Sequence, residues 1–304
     1  MTPLQLQHGP LRFSAIEQGT GPLVLCLHGF PDRPHTYRHQ LPALAAGGFR
    51  VIAPTMRGYE PSSQPADGDY HVLRMAEDVI AWLDQLGGER CHLIGHDWGA
   101  VVSYVAAALA PERFASLTTL AIAHPGRIER ELLQTRPEQL LKSWYMGFFQ
   151  LRGVAEYTFE RNGWALLHKL WRDWSPGYVL PAEEMRALEH MFAQPGVKRA
   201  ALSYYRALFQ VLSPPAKQTR RLLRRPLQVP TLALTGARDG CMDTRLHDEL
   251  MHPEDFAAGL HVQHIAGTGH YLHQERPEQV NQILLAWLRQ NQCAVELERS
   301  LGET

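Results

Sequence analysis

The sequence predicts an α/β protein in which a mostly parallel, doubly wound sheet is interrupted by an inserted helical lid. Short apolar runs bounded by Gly, Pro or polar turns indicate parallel strands that are buried on both faces. Helical periodicity fills the gaps between these runs, and strands that alternate with helices are typical of a doubly wound sheet. Between about residues 126 and 226 the alternation stops, which predicts a separate segment inserted into the core.

Each predicted element has its own pattern. Residues 4–6 and 11–16 alternate apolar and polar side chains around a Gly-Pro turn, which predicts a β-hairpin. Apolar runs predict buried strands at 23–27, 51–53, 92–94, 117–122 and 229–235. Amphipathic periodicity predicts helices over 72–86, over 101–109 and from Pro277 onward.

The predicted organisation is a core of residues 1–125 and 227–292, a lid of residues 126–226 and a polar C-terminal tail of residues 293–304. The lid segment has helical periodicity and is rich in Trp and Tyr. It ends on a basic run, which in a chain of balanced charge we interpret as a solvated linker face. That run contains Arg220, Arg221, Arg224 and Arg225.

Composition limits the kinds of partner that the protein can bind. The 304 residues include 30 basic and 31 acidic ones, so a net charge of -1 creates no long-range field for nucleic acid or an anionic membrane. The N-terminus lacks a signal pattern, and no stretch approaches the roughly 20 apolar residues that span a bilayer. We expect a cytoplasmic protein that binds a small uncharged molecule, and leave open whether it forms a homodimer.

Neither a disulfide framework nor a metal centre is expected. The four cysteines are widely scattered and lack CxxC spacing, which favours free thiols. His261 and His264 come nearest to a ligand pair, but no carboxylate or cysteine cluster accompanies them. We therefore predict chemistry that needs no cofactor and no metal.

The stretch Gly95-His96-Asp97-Trp98-Gly99 has the pattern of a nucleophile elbow, a tight turn between a strand and a helix. Its central residue is Asp97 instead of the usual serine. A serine hydroxyl must be deprotonated by histidine, whereas a carboxylate is already ionised and attacks an sp³ carbon directly. Taken alone, the turn is also compatible with an aspartate that only caps the helix.

An acid and a base follow in the chain order that an elbow nucleophile requires. Asp239 lies on the loop after the strand that ends at Thr235, and His270 lies on the next loop before the last helix. Taken singly, an Asp or a His next to a Gly is common in turns that have no catalytic role. Their joint occurrence in this order predicts a catalytic Asp97-His270-Asp239 group.

The chemistry also needs donors for an oxyanion, and the stretch His28-Gly29-Phe30-Pro31 directly after the first parallel strand supplies one. We predict that the backbone N–H groups of Phe30 and Trp98 form the oxyanion hole.

These motifs resemble those of the α/β-hydrolase-fold epoxide hydrolases, over nearly the whole chain. The similarity includes HGFP, the GHDWG elbow, the late aspartate and histidine, and the Met56-Arg57-Gly58-Tyr59 stretch. It implies the α/β-hydrolase fold, and two lid tyrosines that hydrogen-bond the epoxide oxygen. Trp144-Tyr145-Met146-Gly147 points to Tyr145. Ser203-Tyr204-Tyr205-Arg206 points to Tyr205, with Tyr204 left open because the helix rotation is unknown.

The resemblance implies an epoxide hydrolase that converts a small apolar epoxide and water to a vicinal diol. Asp97 would form a covalent ester, which water activated by His270 and Asp239 would hydrolyse. The substrate pocket is expected beside His28, Pro31, Trp98 and Trp144. A haloalkane dehalogenase, with halide held by two tryptophans, and a non-catalytic binding protein of the same fold are the alternatives.

Overall fold

The computed structural model describes the backbone of residues 2–88 and 90–302, and side chains as far as residue 293. Within these residues the strands form one eight-stranded sheet of order β1-β2-β4-β3-β5-β6-β7-β8. The strands are β1 (Thr2–His8), β2 (Leu11–Gln18), β3 (Leu23–Leu27), β4 (Arg50–Pro54), β5 (Cys91–His96), β6 (Phe114–Leu120), β7 (Thr231–Gly236) and β8 (Leu260–Ile265). The predicted α/β class is confirmed.

The antiparallel end of the sheet is the predicted hairpin. β1 pairs with β2 from Thr2 opposite Glu17 to His8 opposite Leu11. Gly9 has a φ of 55° in the turn, a conformation that glycine adopts without steric cost. β2 then pairs antiparallel with β4, and the remaining neighbours are parallel.

The central strands are buried on both faces, as their apolar runs predict. In β3, Leu25 and Leu27 belong to the hydrophobic core on one face, whereas Val24 and Cys26 belong to the core on the other. The edge strand β8 was not predicted. Four of its six residues are exposed, so it lacks the apolar run that marks the others.

Helices cover both faces of the sheet and fill the inserted segment. They are α1 (Gln40–Ala46), α2 (Val72–Leu86), α3 (Trp98–Leu109), α4 (Pro125–Thr135), α5 (Gln139–Lys142), α6 (Trp144–Phe148), α7 (Val154–Trp174), α8 (Ala182–Ala193), α9 (Val197–Leu208), α10 (Pro214–Leu222), α11 (Arg245–Leu250), α12 (Leu272–Glu275) and α13 (Pro277–Gly302). Short 3₁₀ helices span Pro34–Tyr37, Pro61–Ser63, Pro111–Arg113 and Pro253–Asp255.

The predicted core helices are present. α2 covers the predicted range and ends at Gly87, whose φ of 67° satisfies a left-handed C-cap. α3 begins three residues earlier than its apolar pattern. α13 continues through the segment predicted as a polar tail as far as Gly302, while residues 303 and 304 lie outside the described residues.

The inserted helices α4 to α10 lie between β6 and β7 in the chain. α7 is broken at residues 161–164, where the backbone leaves the helical region. A buried hydrogen bond links α9 to the core: the Tyr204 hydroxyl donates to the backbone carbonyl of Arg57 at 2.5 Å. The Arg57 guanidinium in turn donates to both carboxylate oxygens of Asp78 at 2.6 and 2.7 Å. This chain of contacts fixes the rotation of α9.

None of the helices in the described part of the chain combines the length and apolar character needed to cross a bilayer.

Candidate active site

Asp97 occupies a sharp turn between the end of β5 and the start of α3. Its backbone lies at φ 51° and ψ −119°, a strained conformation for a residue with a side chain. Such outliers persist only where the surroundings impose them, and they concentrate at functional sites. The turn therefore has the geometry of a nucleophile elbow.

The two glycines of the elbow are required by close backbone approach. A Cβ atom on Gly95 would collide with the carbonyl oxygen of Gly99, and one on Gly99 would collide with the carbonyl oxygen of Leu27. Because both obstacles are backbone atoms, one in the central sheet and one in α3, neither can move aside cheaply. The small residues thus let α3 sit directly on β3 and β5.

Asp239 and His270 converge on Asp97 from the carboxyl ends of β7 and β8. His270 Nδ1 lies 2.8 Å from Asp239 Oδ2, and His270 Nε2 lies 3.6 Å from Asp97 Oδ2. The His270 side chain is fully buried. The three predicted residues form a connected group in which the imidazole stands between two carboxylates.

The Asp239 carboxylate is held by its own loop. Its Oδ1 atom accepts hydrogen bonds from the backbone N–H groups of Cys241 at 2.7 Å and Met242 at 2.9 Å. The His270 backbone N–H donates to the carbonyl of Trp174 at 3.0 Å. Carboxylate and imidazole are therefore positioned by backbone contacts, which leaves Oδ2 of Asp239 for the imidazole.

The electrostatics of His270 are set by competing effects. Burial alone disfavours the charged imidazolium, but Asp239, through charge and hydrogen bonding, and Asp97 outweigh it and raise the pKa of His270 above its ordinary value. The imidazolium is thus the stable form while both carboxylates are ionised.

The predicted oxyanion donor Phe30 is directed at the elbow. Its backbone N–H donates to Asp97 Oδ1 at 2.8 Å. The following Phe30–Pro31 bond is cis. The N–H of Trp98 belongs to the first residue of α3, next to Asp97, where helix N–H groups have no partner within the helix.

A cavity of about 620 Å³ opens onto Asp97. Its walls are mostly apolar and include Trp98, Trp144, Tyr145 and Tyr205. Trp144 is partly exposed, whereas the two tyrosines are buried. The cavity thus brings residues of the core and of the inserted helices to one space.

Two expected pocket residues do not line this cavity. His28 is fully buried, and both ring nitrogens are used by the backbone, Nδ1 at the carbonyl of Gly29 (2.9 Å) and Nε2 at the N–H of Met56 (3.0 Å). Pro31 is buried, and its carbonyl accepts from the Trp171 indole at 3.2 Å. The prediction for His28 and Pro31 is wrong, because both support the loop that carries Phe30.

The choice between the neighbouring tyrosines follows from the rotation of α9. Both rings pack edge-on against Trp98, but the Tyr204 hydroxyl donates to the Arg57 carbonyl, whereas Tyr205 lines the cavity. The rings of Tyr145 and Tyr205 lie 5.6 Å apart. Burial raises the pKa of both phenols well above the ordinary value, so both are neutral O–H donors.

The sequence did not indicate that Cys241 lies next to a residue of the site. The four cysteines are free thiols, as predicted, but the sulfur of Cys241 lies 3.3 Å from the Tyr145 hydroxyl. Burial, followed by the charges of Asp239 and Asp97, raises the pKa of this thiol well above its usual range. Its position two residues after Asp239 is the signal that could have placed it.

A group of three potential metal ligands is present among the described residues. Asp97, Cys241 and His270 offer ligand atoms within 4.8 Å of one another. They coincide with the candidate catalytic group, and the thiol would first have to lose its proton. The pair weighed from the sequence is not brought together, since His264 pairs with Asp248 at 2.9 Å and His261 packs against Trp287.

The elbow generates a stability prediction. Gly99→Ala is expected to lower the free energy of unfolding by roughly 2 to 3 kcal/mol, because the new methyl group meets the Leu27 carbonyl. Gly147→Ala is the matched control, since a Cβ there meets nothing within 4 Å. Urea unfolding measures both variants, and equal stability of the two would contradict the close-packed elbow.

Comparison with known proteins shows the family to which the chain belongs. The family model for the alpha/beta hydrolase fold matches residues 22–277. The chain is 30% identical to the AB hydrolase superfamily protein YfhM of Bacillus subtilis, over 92% of this chain and 94% of that protein. It is also 30% identical to epoxide hydrolase 2 of Caenorhabditis elegans, over 89% and 75% of the two chains.

A solved structure gives the same result. The crystal structure of a Bacillus megaterium epoxide hydrolase in complex with an inhibitor matches with a TM-score of 0.80 and 29% identity, covering 94% of this chain and all of that one (100%). The fold and the relatives agree. The chain is a hydrolase that belongs to the α/β-hydrolase-fold family of epoxide hydrolases.

Proposed function

We propose that the protein hydrolyses an epoxide to a vicinal diol through a covalent ester on Asp97. One observation carries the proposal: the Asp97 carboxylate and the neutral tyrosines Tyr145 and Tyr205 border the same apolar cavity. A carboxylate nucleophile needs an sp³ electrophile, and two neutral hydroxyls suit a leaving oxygen that stays attached to the substrate. Epoxide hydrolases among the relatives support the same reaction.

In the first step, a carboxylate oxygen of Asp97 attacks an epoxide carbon, and the bond between that carbon and the ring oxygen breaks. The electron pair goes to the ring oxygen, which becomes an alkoxide. Tyr145 and Tyr205 donate hydrogen bonds to it as its charge develops, and the oxygen becomes a hydroxyl group by taking up one proton. The product of this step is a hydroxyalkyl ester of Asp97.

In the second step, His270 acts as general base for water. Ester formation removes the negative charge of Asp97, which is one of the groups that raise the pKa of His270. Asp239 remains to orient the ring and to stabilise the imidazolium that forms. His270 therefore holds its proton most tightly before the ester forms. Once the ester has formed, the imidazole is more readily neutral and can act as a base.

Water attacks the carbonyl carbon of the ester while His270 takes its proton. The resulting oxyanion lies against the N–H of Phe30, already directed at Asp97 Oδ1, and against the N–H of Trp98. Collapse of the intermediate breaks the bond between the carbonyl carbon and the alkyl oxygen. The diol leaves with a proton from the imidazolium. The carboxyl group of Asp97 releases the second proton of the water, which balances the proton taken up in the first step and restores the carboxylate.

The inserted helices have a defined part in this proposal. Tyr145 lies on α6 and Tyr205 on α9, both within residues 126–226, whereas Asp97 belongs to the core. A lid that carries the hydrogen-bond donors excludes water from the first step and strengthens those bonds. The apolar walls, with side chains such as Val101, supply the contacts for a small apolar epoxide.

His270→Gln is expected to trap the ester. Ring opening still has its nucleophile and both tyrosines, but hydrolysis loses its general base and should slow by about 100-fold or more. Intact-protein mass spectrometry after mixing with styrene oxide should show a stable adduct with the mass of one epoxide, located on Asp97.

His273→Gln is the matched control for this variant. It removes a second buried imidazole, which contacts the Thr36 hydroxyl at 2.7 Å, and should accumulate no adduct. Steady diol formation by His270→Gln without an adduct would refute the role assigned to His270.

The double substitution Tyr145→Phe with Tyr205→Phe tests the first step. In the His270→Gln background it should slow adduct formation at least about 100-fold, because the leaving oxygen loses its donors. Tyr157→Phe is the control, since this tyrosine on α7 is 63% exposed and does not line the cavity, and it should leave adduct formation within a few-fold of the parent. Unchanged adduct formation by the double variant would exclude the tyrosines as donors.

A further inference from the structure

One stretch of this neutral chain is strongly basic. Between Glu189 and Asp239 the sequence contains no acidic residue. The same stretch contains nine basic residues: Lys198, Arg199, Arg206, Lys217, Arg220, Arg221, Arg224, Arg225 and Arg238. A balanced total charge therefore hides a local excess of positive charge around α10, which the proposed reaction does not use.

The basic side chains of α10 are directed outward. Lys217 and Arg221 lie four residues apart on α10, so they share one face, and Arg224 and Arg225 follow in the turn after the helix; all four are exposed. No ion pair joins any of them to a carboxylate in the part of the chain whose side chains are described. These four residues are called the basic strip below.

The same helix forms a wall of the active-site cavity. Ala216, Thr219, Arg220 and Leu223 line it, each one or two positions from a member of the basic strip. Arg220 is not free, because it donates to the Val211 carbonyl and bonds Glu129 at 3.3 Å. The basic strip thus borders the cavity without pointing into it.

An exposed apolar patch surrounds the entrance to that cavity. Leu212 is 76% exposed, Phe209 60%, Leu140 51% and Trp144 44%. All of these except Leu212 also line the cavity, which places them at its rim. The mouth patch is defined as Leu140, Trp144, Leu208, Phe209, Val211 and Leu212.

Exposed apolar side chains concentrated at one rim, beside unpaired basic ones, mark an interaction surface. We propose that the mouth patch and the basic strip dock the protein on an anionic lipid surface, with the cavity entrance facing the lipid. Apolar side chains enter the boundary between headgroups and acyl chains, while Lys and Arg bind the anionic headgroups. One such signal gives only marginal binding, and two together are what stable attachment to a membrane requires.

Two other partners, a second copy of the chain and nucleic acid, fit these features less well. A symmetric dimer through the mouth patch would bring each basic strip close to its own copy, since a two-fold interface joins identical surfaces. Nucleic acid would satisfy the arginines, but would leave side chains such as Phe209 and Leu212 in water. A lipid surface matches both the charge and the apolar rim, and it lets a lipophilic molecule enter the cavity without crossing water.

Vesicle co-sedimentation of the full chain, with no epoxide present, tests the proposal. Vesicles of phosphatidylcholine with 30% phosphatidylglycerol are expected to bind the protein, and pure phosphatidylcholine vesicles much less. Arg221→Ala and Arg224→Ala should each weaken partitioning about fivefold, as expected for the loss of one basic side chain near an anionic surface. Leu212→Ser, which leaves the cavity lining intact, should also weaken it.

Matched controls are Arg12→Ala, an exposed arginine on β2, and Val179→Ser, an apolar side chain that is 85% exposed outside the mouth patch. Both should bind like the parent. Equal binding to the two kinds of vesicle, absence of binding, equal effects of control and test variants, or a dimer in solution that Leu212→Ser dissociates would each overturn the proposal. Since no turnover is measured, the result is independent of the proposed reaction.

Discussion

The strained turn at Asp97 is the constraint on which the rest of the structure depends. Its left-handed backbone brings the carboxylate above the carboxyl edge of the sheet, where Phe30 donates to one oxygen and His270 approaches the other. This turn exists only because Gly95 and Gly99 let helix and strands come into backbone contact. The conformational strain is offset by the packing of the whole central sheet, and the turn holds a carboxylate whose two oxygens face different partners.

Much of the fold is predictable from local pattern, because burial on both faces leaves an apolar run. β3 shows this directly, as all five of its residues are buried. β8 could not be found in the same way, since it is an edge strand with four exposed residues and carries His261 and His264. The length of α13 was not predicted, although Ala294, Leu297 and Leu301 continue a helical spacing beyond Cys293.

The residues of the site also differ in whether local sequence pattern predicts them. Asp97, Asp239 and His270 are predictable, because each follows a strand whose carboxyl end lies at one edge of a parallel sheet. Contacts between distant segments are not predictable in this way. Tyr204 and Tyr205 are distinguished by the cavity that Tyr205 lines and by the hydrogen bond from Tyr204 to Arg57, which lies 147 residues away. Long-range packing likewise explains why His28 is a support instead of a pocket residue, and why Cys241 meets a tyrosine of the inserted helices.

A single turnover in water enriched in ¹⁸O tests the central claim most directly. With enzyme in excess over epoxide, the ester route takes the new diol oxygen from the carboxylate of Asp97, so the first diol should carry ¹⁶O and the Asp97 peptide should gain ¹⁸O. Mass spectrometry of the diol and of the digested protein measures both. A first diol that carries ¹⁸O, with Asp97 unlabelled, would mean that water attacks the epoxide directly and would contradict the covalent mechanism.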